Sequence, residues 1–298
     1  MSTDTYIAKL NEALQTIKVK LPLDLSSPRV LIICGSGLGG IASKISSPLE
    51  IAYSDIPGFK VSTVAGHAGK LVFGTMGSNA VPVMCMVGRL HFYEGYEFND
   101  TNFPVRLASL LGVSTMIVTN AAGGLNTGYK AGDLMIIDDH LNLPGLAGFH
   151  PLRGPNLEMF GPRFQPLSDA YSLKLRQLFF QKKLALNITR TIHEGTYVFA
   201  AGPTFESRAE VRMLRVLGGD AVGMSTVPEV IVGRHCGLEV LAVSLITNEG
   251  LGAKPASAFD KEPERLDKGM ASHDEVLENA NAASKDVQML VSEVVNEL

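Results

Sequence analysis

Hydrophobic positions follow two different spacings along this chain. Near the N-terminus, Ile7, Leu10, Leu14 and Ile17 recur every three or four residues, which predicts an amphipathic helix. Residues 30–34 are instead an unbroken, β-branched apolar run, which is typical of a strand buried on both faces of a largely parallel sheet. The two spacings together predict an α/β protein.

Later apolar runs extend this sheet. Residues 71–76 and 81–87 flank a Gly-Ser-Asn turn at 77–79 and are predicted to form a hairpin. Other strands are predicted at 115–119, 134–137, 196–201, 220–223 and 240–247, and helices at 103–111, 170–182, after 226 and at the C-terminus. Residues 120–124, which follow the strand at 115–119, are predicted to form a loop. Residues 248–271 lack periodicity and are predicted to be an irregular loop. No repeat or composition break marks a linker, so we expect one domain over residues 1–298.

The first strand ends in the glycine-rich stretch 35–40, which surrounds Ser36. Glycines let a backbone turn sharply, and successive N–H groups in such a turn can converge on an anion. The stretch also fits the dinucleotide pattern G-x-G-x-x-G, with Asp55 at a suitable distance. However, Asp55 lies in a turn-like segment, and no helix of β-α-β length precedes it. We therefore expect a phosphate site, with NAD binding as the weaker alternative.

Polar side chains follow the strand at 81–87. Arg89, His91 and Tyr93 alternate and should share one face, where arginine and histidine suit a phosphate dianion and tyrosine can pack on a sugar. The alternative is an ion pair between Arg89 and Glu94 with a histidine in the core. His67, in a short glycine-flanked segment, could bind a ligand or be an ordinary loop histidine.

Three predicted helix starts carry a capping-box pattern, in which a hydroxyl and a glutamate satisfy the free N–H groups of the first turn. The boxes place Glu206 and Ser225 just before their helices and His273 in a first turn, where no cap requires them. Phe205 would desolvate Glu206 and could stack on a flat ligand. The boxes are at 207–210, 226–229 and 272–275.

Composition narrows the functional classes. The 298 residues are 46% hydrophobic and 19% charged, with a net charge of −4, so nothing in the charge favours nucleic acid or an anionic membrane surface. Cys34, Cys85 and Cys236 lie in apolar runs and indicate buried thiols in a reducing compartment, with neither a disulfide framework nor a zinc site. Without a signal peptide or a bilayer-length apolar run, the chain is expected to be cytoplasmic.

The ordered motifs, taken together, resemble the trimeric purine nucleoside phosphorylases. The motifs are Gly-Ser-Gly-Leu-Gly at 35–39, Gly-His at 66–67, Gly-Arg-Leu-His-Phe-Tyr-Glu-Gly at 88–95, Asn-Ala-Ala-Gly-Gly at 120–124, Gly-Pro-Thr-Phe-Glu at 202–206 and Gly-Met-Ser-Thr-Val-Pro-Glu at 223–229. The resemblance implies a single α/β domain with a central mixed, partly barrel-like β-sheet flanked by helices. It also implies a homotrimer that converts purine nucleoside and phosphate to free base and pentose 1-phosphate.

The resemblance also assigns roles to individual residues. Phosphate would be held by Ser36, Arg89, His91, Ser225 and the backbone of Ala121, with His67 closing over it. Ribose would be bound by Tyr93, Met224, His273 and Phe164, the last lent by a neighbouring subunit. The base would be bound by Glu206, Asn248, Phe205, Tyr197, Val222, Ala122 and Gly123. The catalytic residues would be Asn248, Glu206 and His91.

The implied chemistry requires neither a metal nor an organic cofactor, because inorganic phosphate is a substrate. Donation from Asn248 to purine N7 would stabilise the negative charge that develops on the departing base. The related methylthioadenosine phosphorylases carry aspartate at this place, so Asn248 with Glu206 favours the 6-oxopurines of inosine and guanosine. The alternatives are an adenosine-type phosphorylase of the same fold and a non-enzymatic nucleoside or phosphate sensor.

Overall fold

A computed structural model describes residues 2–63 and 69–298, and within the last helix it leaves out the side chains of residues 273–275. The predicted phosphate ligand His67 therefore lies outside the described residues. In the described residues there are nine strands: β1 (Val30–Cys34), β2 (Ser46–Ala52), β3 (Lys70–Met76), β4 (Val81–Val87), β5 (Thr115–Gly124), β6 (Leu134–Asn142), β7 (Ile192–Phe199), β8 (Ala221–Gly223) and β9 (Glu239–Glu249).

All nine strands belong to one mixed sheet in the order β2-β3-β4-β1-β5-β8-β7-β6-β9. Strand β5 pairs with β8 and also with β9, so the last five strands in this order close into a ring. The predicted mixed, partly barrel-like sheet is therefore confirmed. The hairpin of β3 and β4 is also confirmed as an antiparallel pair.

Helices cover both faces of this sheet. They are α1 (Thr3–Lys20), α2 (Phe98–Thr101), α3 (Phe103–Leu110), α4 (Leu143–Leu146), α5 (Leu173–Ala185), α6 (Arg208–Val216), α7 (Val227–His235) and α8 (His273–Val295). In β1, Leu31 and Ile33 join a core with α1, α3 and α7, whereas Ile32 joins a second core with α5 and α8. This two-sided burial is the reason that β1 reads as a continuous apolar run.

The segment 120–124, predicted to be a loop after a strand, is instead the second half of β5. Gly123 pairs with Val222 of β8 on one side and with Asn248 of β9 on the other. Gly123 and Gly124 thus pair on both sides, which holds them in the sheet although glycine has a weak preference for a strand. The prediction of a loop was therefore wrong, and the strand carries these residues into the cavity described below.

The three cysteines differ in their burial. Cys34 and Cys85 are buried and unbridged, whereas Cys236 is partly exposed. Among the described helices, none combines the length and the apolar character needed to cross a bilayer.

Candidate active site

One cavity of about 410 Å³ brings together most of the residues predicted for the site. Predicted residues that line it are Ser36, Arg89, His91, Tyr93, Ala121, Ala122, Gly123, Phe205, Glu206, Val222, Met224, Ser225 and Asn248. Four further lining residues were not predicted: Pro203, Gly223, Thr247 and Val276. The first three lie within two positions of predicted residues, whereas only the packing of α8 brings Val276 to the cavity.

The glycine-rich turn after β1 is shaped by packing against β5. A Cβ atom on Gly35 would lie 2.6 Å from the Cα of Asn120, so no larger residue fits there. The N–H of Gly35 donates to Thr119 Oγ1 at 3.1 Å, and Gly37 adopts a φ of +74°. Close packing against β5 therefore explains why residue 35 is a glycine. The turn that follows places Ser36 on the cavity wall.

Arg89 is only 2% exposed, and three described groups accept hydrogen bonds from its guanidinium. Nε donates to Glu229 at 2.6 Å, one terminal nitrogen donates to Ser225 Oγ at 3.2 Å, and the other donates to the Thr119 carbonyl at 3.0 Å. The alternative of a surface pair with Glu94 is therefore wrong. A buried, oriented guanidinium on a cavity wall is suited to an oxyanion.

The capping box predicted at 226–229 is wrong, because Glu229 pairs with Arg89 instead. Glu229 bonds Arg89, and the Thr226 side chain makes no cap hydrogen bond. Thr226 has a φ of +74°, and its hydroxyl accepts from Asn120 Nδ2 at 2.9 Å. This unfavourable backbone conformation places Ser225 at the cavity beside Arg89.

His91 is positioned by Glu94, three residues later. Glu94 Oε1 accepts from the His91 backbone N–H at 2.7 Å and lies 3.3 Å from its ring Nδ1. Burial opposes ionisation of Glu94, but hydrogen bonds from His91 and Thr63 outweigh it and lower the pKa of Glu94 to about 2. The ring of Tyr93 stacks on His91 with centroids 4.7 Å apart, and burial raises the Tyr93 pKa to about 12.

Glu206 also lines the cavity, and it lies just before α6 in the chain. The predicted capping box at 207–210 is confirmed: Ser207 and Glu210 satisfy the first turn of α6. The cap of α6 therefore does not use the side chain of Glu206. Burial raises its pKa, so its carboxylate is a desolvated acceptor that gains from a ligand N–H.

Asn248 lies next to the last residue of β9 and lines the cavity. Its Oδ1 accepts from Thr247 Oγ1 at 3.2 Å, which directs its NH₂ group to other partners. A Cβ atom on Gly123 would lie 3.4 Å from Asn248 Nδ2, so the amide packs directly over the glycine backbone of β5. Asn248 therefore presents an oriented donor to the cavity.

Four predicted residues are not among those that line this cavity. His67 lies outside the described residues, and His273 begins α8 with its side chain outside the description. Phe164 is 86% exposed and lies elsewhere on the surface. Tyr197 is fully buried behind the wall, with its hydroxyl against Gly223. No group of three metal-binding side chains occurs in the part of the chain that the structure describes.

Comparisons with known proteins agree with this fold and cavity. The family model described as "Phosphorylase superfamily" matches residues 29–296. The chain is 61% identical to the purine nucleoside phosphorylase of Saccharomyces cerevisiae over 276 residues, covering 91% of this chain and 88% of the relative.

Solved structures are also similar to it. Isoform 2 of purine nucleoside phosphorylase from Schistosoma mansoni, in complex with cytosine and ribose-1-phosphate, superposes with a TM-score of 0.87 at 41% identity, over 98% of this chain and 96% of that one. A Schistosoma purine nucleoside phosphorylase in complex with hypoxanthine gives 0.87 at 38% identity, over 98% of each chain. The protein is thus a member of the phosphorylase superfamily. Within that superfamily it belongs to the purine nucleoside phosphorylases.

Proposed function

We propose that this chain catalyses the reversible phosphorolysis of 6-oxopurine nucleosides and deoxynucleosides, such as inosine and guanosine, in purine salvage. The products are the free base and ribose or deoxyribose 1-phosphate. The observation that carries the proposal is the cavity itself, which has a buried, oriented Arg89 on one wall and the amide of Asn248 on another. The hypoxanthine complex of the Schistosoma relative supports a 6-oxopurine as the base.

In this proposal the oxyanion end of the cavity holds inorganic phosphate. Arg89 and Ser225, which already bond each other, would donate to its oxygens together with Ser36, His91 and the backbone of Ala121. His67 would close over the anion. Clamping phosphate beneath the anomeric carbon replaces a bimolecular encounter with a positioned one.

The sugar would lie between phosphate and base. Tyr93, held by its stacking on His91, and Met224 would contact the ribose, and His273 would bind its 5′-hydroxyl. Phe164 would come from a neighbouring subunit of a homotrimer. Its 86% exposure within one chain is consistent with a side chain that is covered only in an assembly.

The purine would lie over the glycine backbone of β5. Asn248 would donate to N7 and Glu206 would accept from N1–H, or from a 2-amino group in guanosine. Phe205, Val222, Ala122 and Gly123 would enclose the ring, with Tyr197 supporting that wall from behind.

A phosphate oxygen forms a bond to C1′ as the C1′–N9 bond breaks, and the bonding electron pair leaves with the purine. The phosphate dianion stabilises the positive charge on the sugar, and donation to N7 stabilises the negative charge on the base. We propose that no metal or organic cofactor takes part. We also propose that residues 1–298 act as one domain and that the enzyme is cytoplasmic.

A phosphate-dependent assay for the release of hypoxanthine from inosine tests the proposal. We expect turnover that requires phosphate, with a strong preference for inosine over methylthioadenosine. The reverse preference would identify the adenosine-type alternative. Binding of base and phosphate without turnover would identify a sensor.

A further inference from the structure

One face of α6 carries three arginines that all donate to backbone carbonyls. Arg208, Arg212 and Arg215 are spaced four and three residues apart, so their side chains lie on one side of the helix. We call these three residues the arginine row. The carbonyls that accept from the row belong to Leu125, Gly250, Gly252, Ala253 and Leu266.

Arg215 joins the ends of two strands that line the cavity. Its Nε donates to the carbonyl of Leu125, directly after β5, and its NH2 nitrogen donates to the carbonyl of Gly250 at 2.9 Å, directly after β9. Gly250 also donates its N–H to the carbonyl of Gly124 at 2.7 Å. The end of β9 is therefore tied both to β5 and to α6, two residues beyond Asn248.

The segment after Asn248 packs closely against α6. A Cβ atom on Gly250 would lie 2.8 Å from the Gly124 carbonyl oxygen, and one on Gly252 would collide with the Arg215 guanidinium. Arg212 donates to the Gly252 carbonyl at 3.1 Å. Because every acceptor in this contact is a backbone carbonyl, the arginine row holds the main chain of the loop directly.

The same helix begins directly after Glu206. Its capping box fixes the first turn, so Glu206 and the arginine row are attached to one short rigid element. We propose that Arg215 is a positioning residue that sets the place of Asn248 relative to Glu206, with Arg212 in a supporting role. This inference rests on the proposed function, in which these two side chains bind opposite edges of one purine.

A double-mutant cycle tests the inference. Arg215→Gln removes the guanidinium that bridges the two carbonyls, and we expect kcat/KM for inosine to fall roughly tenfold, since small misplacements of catalytic groups are costly. The KM for phosphate should change little, because the described hydrogen-bond partners of Arg89 are Glu229, Ser225 and Thr119, which lie outside the arginine row. If Arg215 acts through Asn248, the tenfold loss should disappear in an Asn248→Ala background.

Three further variants separate this role from general stability. Arg265→Gln is the matched control. Arg265 lies on the same loop, is highly exposed, and its one described ion pair is with Asp267. This variant should leave kcat/KM unchanged. Arg215→Lys can reach one carbonyl at a time and should give an intermediate loss. Gly250→Ala perturbs the same junction from the loop side and should also lower kcat/KM. It provides the test if Arg215→Gln does not fold.

The outcomes distinguish the two proposals. Wild-type protein without phosphate-dependent turnover would overturn the proposed function. Active wild-type protein, together with an Arg215→Gln effect that is equally large with and without Asn248, would overturn only the positioning role. An Arg215→Gln variant with unchanged kcat/KM would overturn it as well.

Discussion

The ion pair between Glu229 and Arg89 should control both stability and phosphate binding. Glu229→Ala removes the carboxylate that accepts from Nε of Arg89, whose side chain is only 2% exposed. Breaking a buried pair from one side costs about 3–5 kcal/mol. With an unfolding entropy of roughly 2.1 cal/mol/K for each of 298 residues, this cost lowers Tm by roughly 5–8 °C.

The same variant should raise the KM for phosphate. The guanidinium keeps its bonds to Ser225 and Thr119 but loses the bond to Glu229. A hydrogen bond to a charged group contributes about 1.5–3 kcal/mol, so an increase of roughly 10- to 150-fold is expected. Glu229→Gln keeps an acceptor for Nε and removes a negative charge near the anion. It should therefore leave the KM for phosphate unchanged or lower it.

The assay is steady-state hypoxanthine release at varied phosphate, with thermal unfolding measured in parallel. Glu12→Ala, which changes an exposed glutamate of α1, is the control for charge and should alter neither quantity. A Glu229→Ala variant with the wild-type KM for phosphate would refute the reasoning, because Arg89 would then be oriented without its carboxylate partner.

Three other predictions follow from the same geometry. Asn248→Ala should lower kcat for inosine by roughly 10²–10³-fold, as loss of an oxyanion donor does, with the KM for phosphate little changed; wild-type kcat would contradict the role. Burial raises the pKa of Glu206, so its carboxylate should become protonated as pH falls toward 4.5. The KM for guanosine should therefore rise in that range. The variant Glu206→Gln, which has no carboxylate to protonate, should not show this rise. The pKa of Glu94, about 2, lies below its usual 4.5, so ionised Glu94 stabilises the fold above pH 4.5 and progressively less as pH falls toward 2. The free energies of urea unfolding of wild type and Glu94→Gln should therefore converge between pH 4.5 and 2. A difference that stays constant over this range would contradict the prediction.

Local patterns in the sequence predicted much of the fold. The spacing of Leu10 and Ile17 predicted α1, and both side chains are buried. The apolar run at 30–34 predicted a strand covered on both faces, which β1 is. Such patterns succeed because a helix face or a strand face is set by neighbours within a few residues. The pattern failed at 120–124, where pairing with β8 and β9 overrides a weak local preference.

The motifs and the family resemblance together indicated most of the residues that line the cavity, because many of them directly follow a strand. The sequence by itself therefore determined which residue types are available for phosphate, sugar and purine. Only the tertiary structure decided their partners. Glu229, which read as a helix cap, is instead the counter-ion of Arg89, 140 residues earlier in the chain. Arg215 ties the strand end that carries Asn248 to α6 through backbone carbonyls, which leave no signature in the sequence. Contacts of this kind depend on how distant strands pair and close into a ring, which no local spacing records.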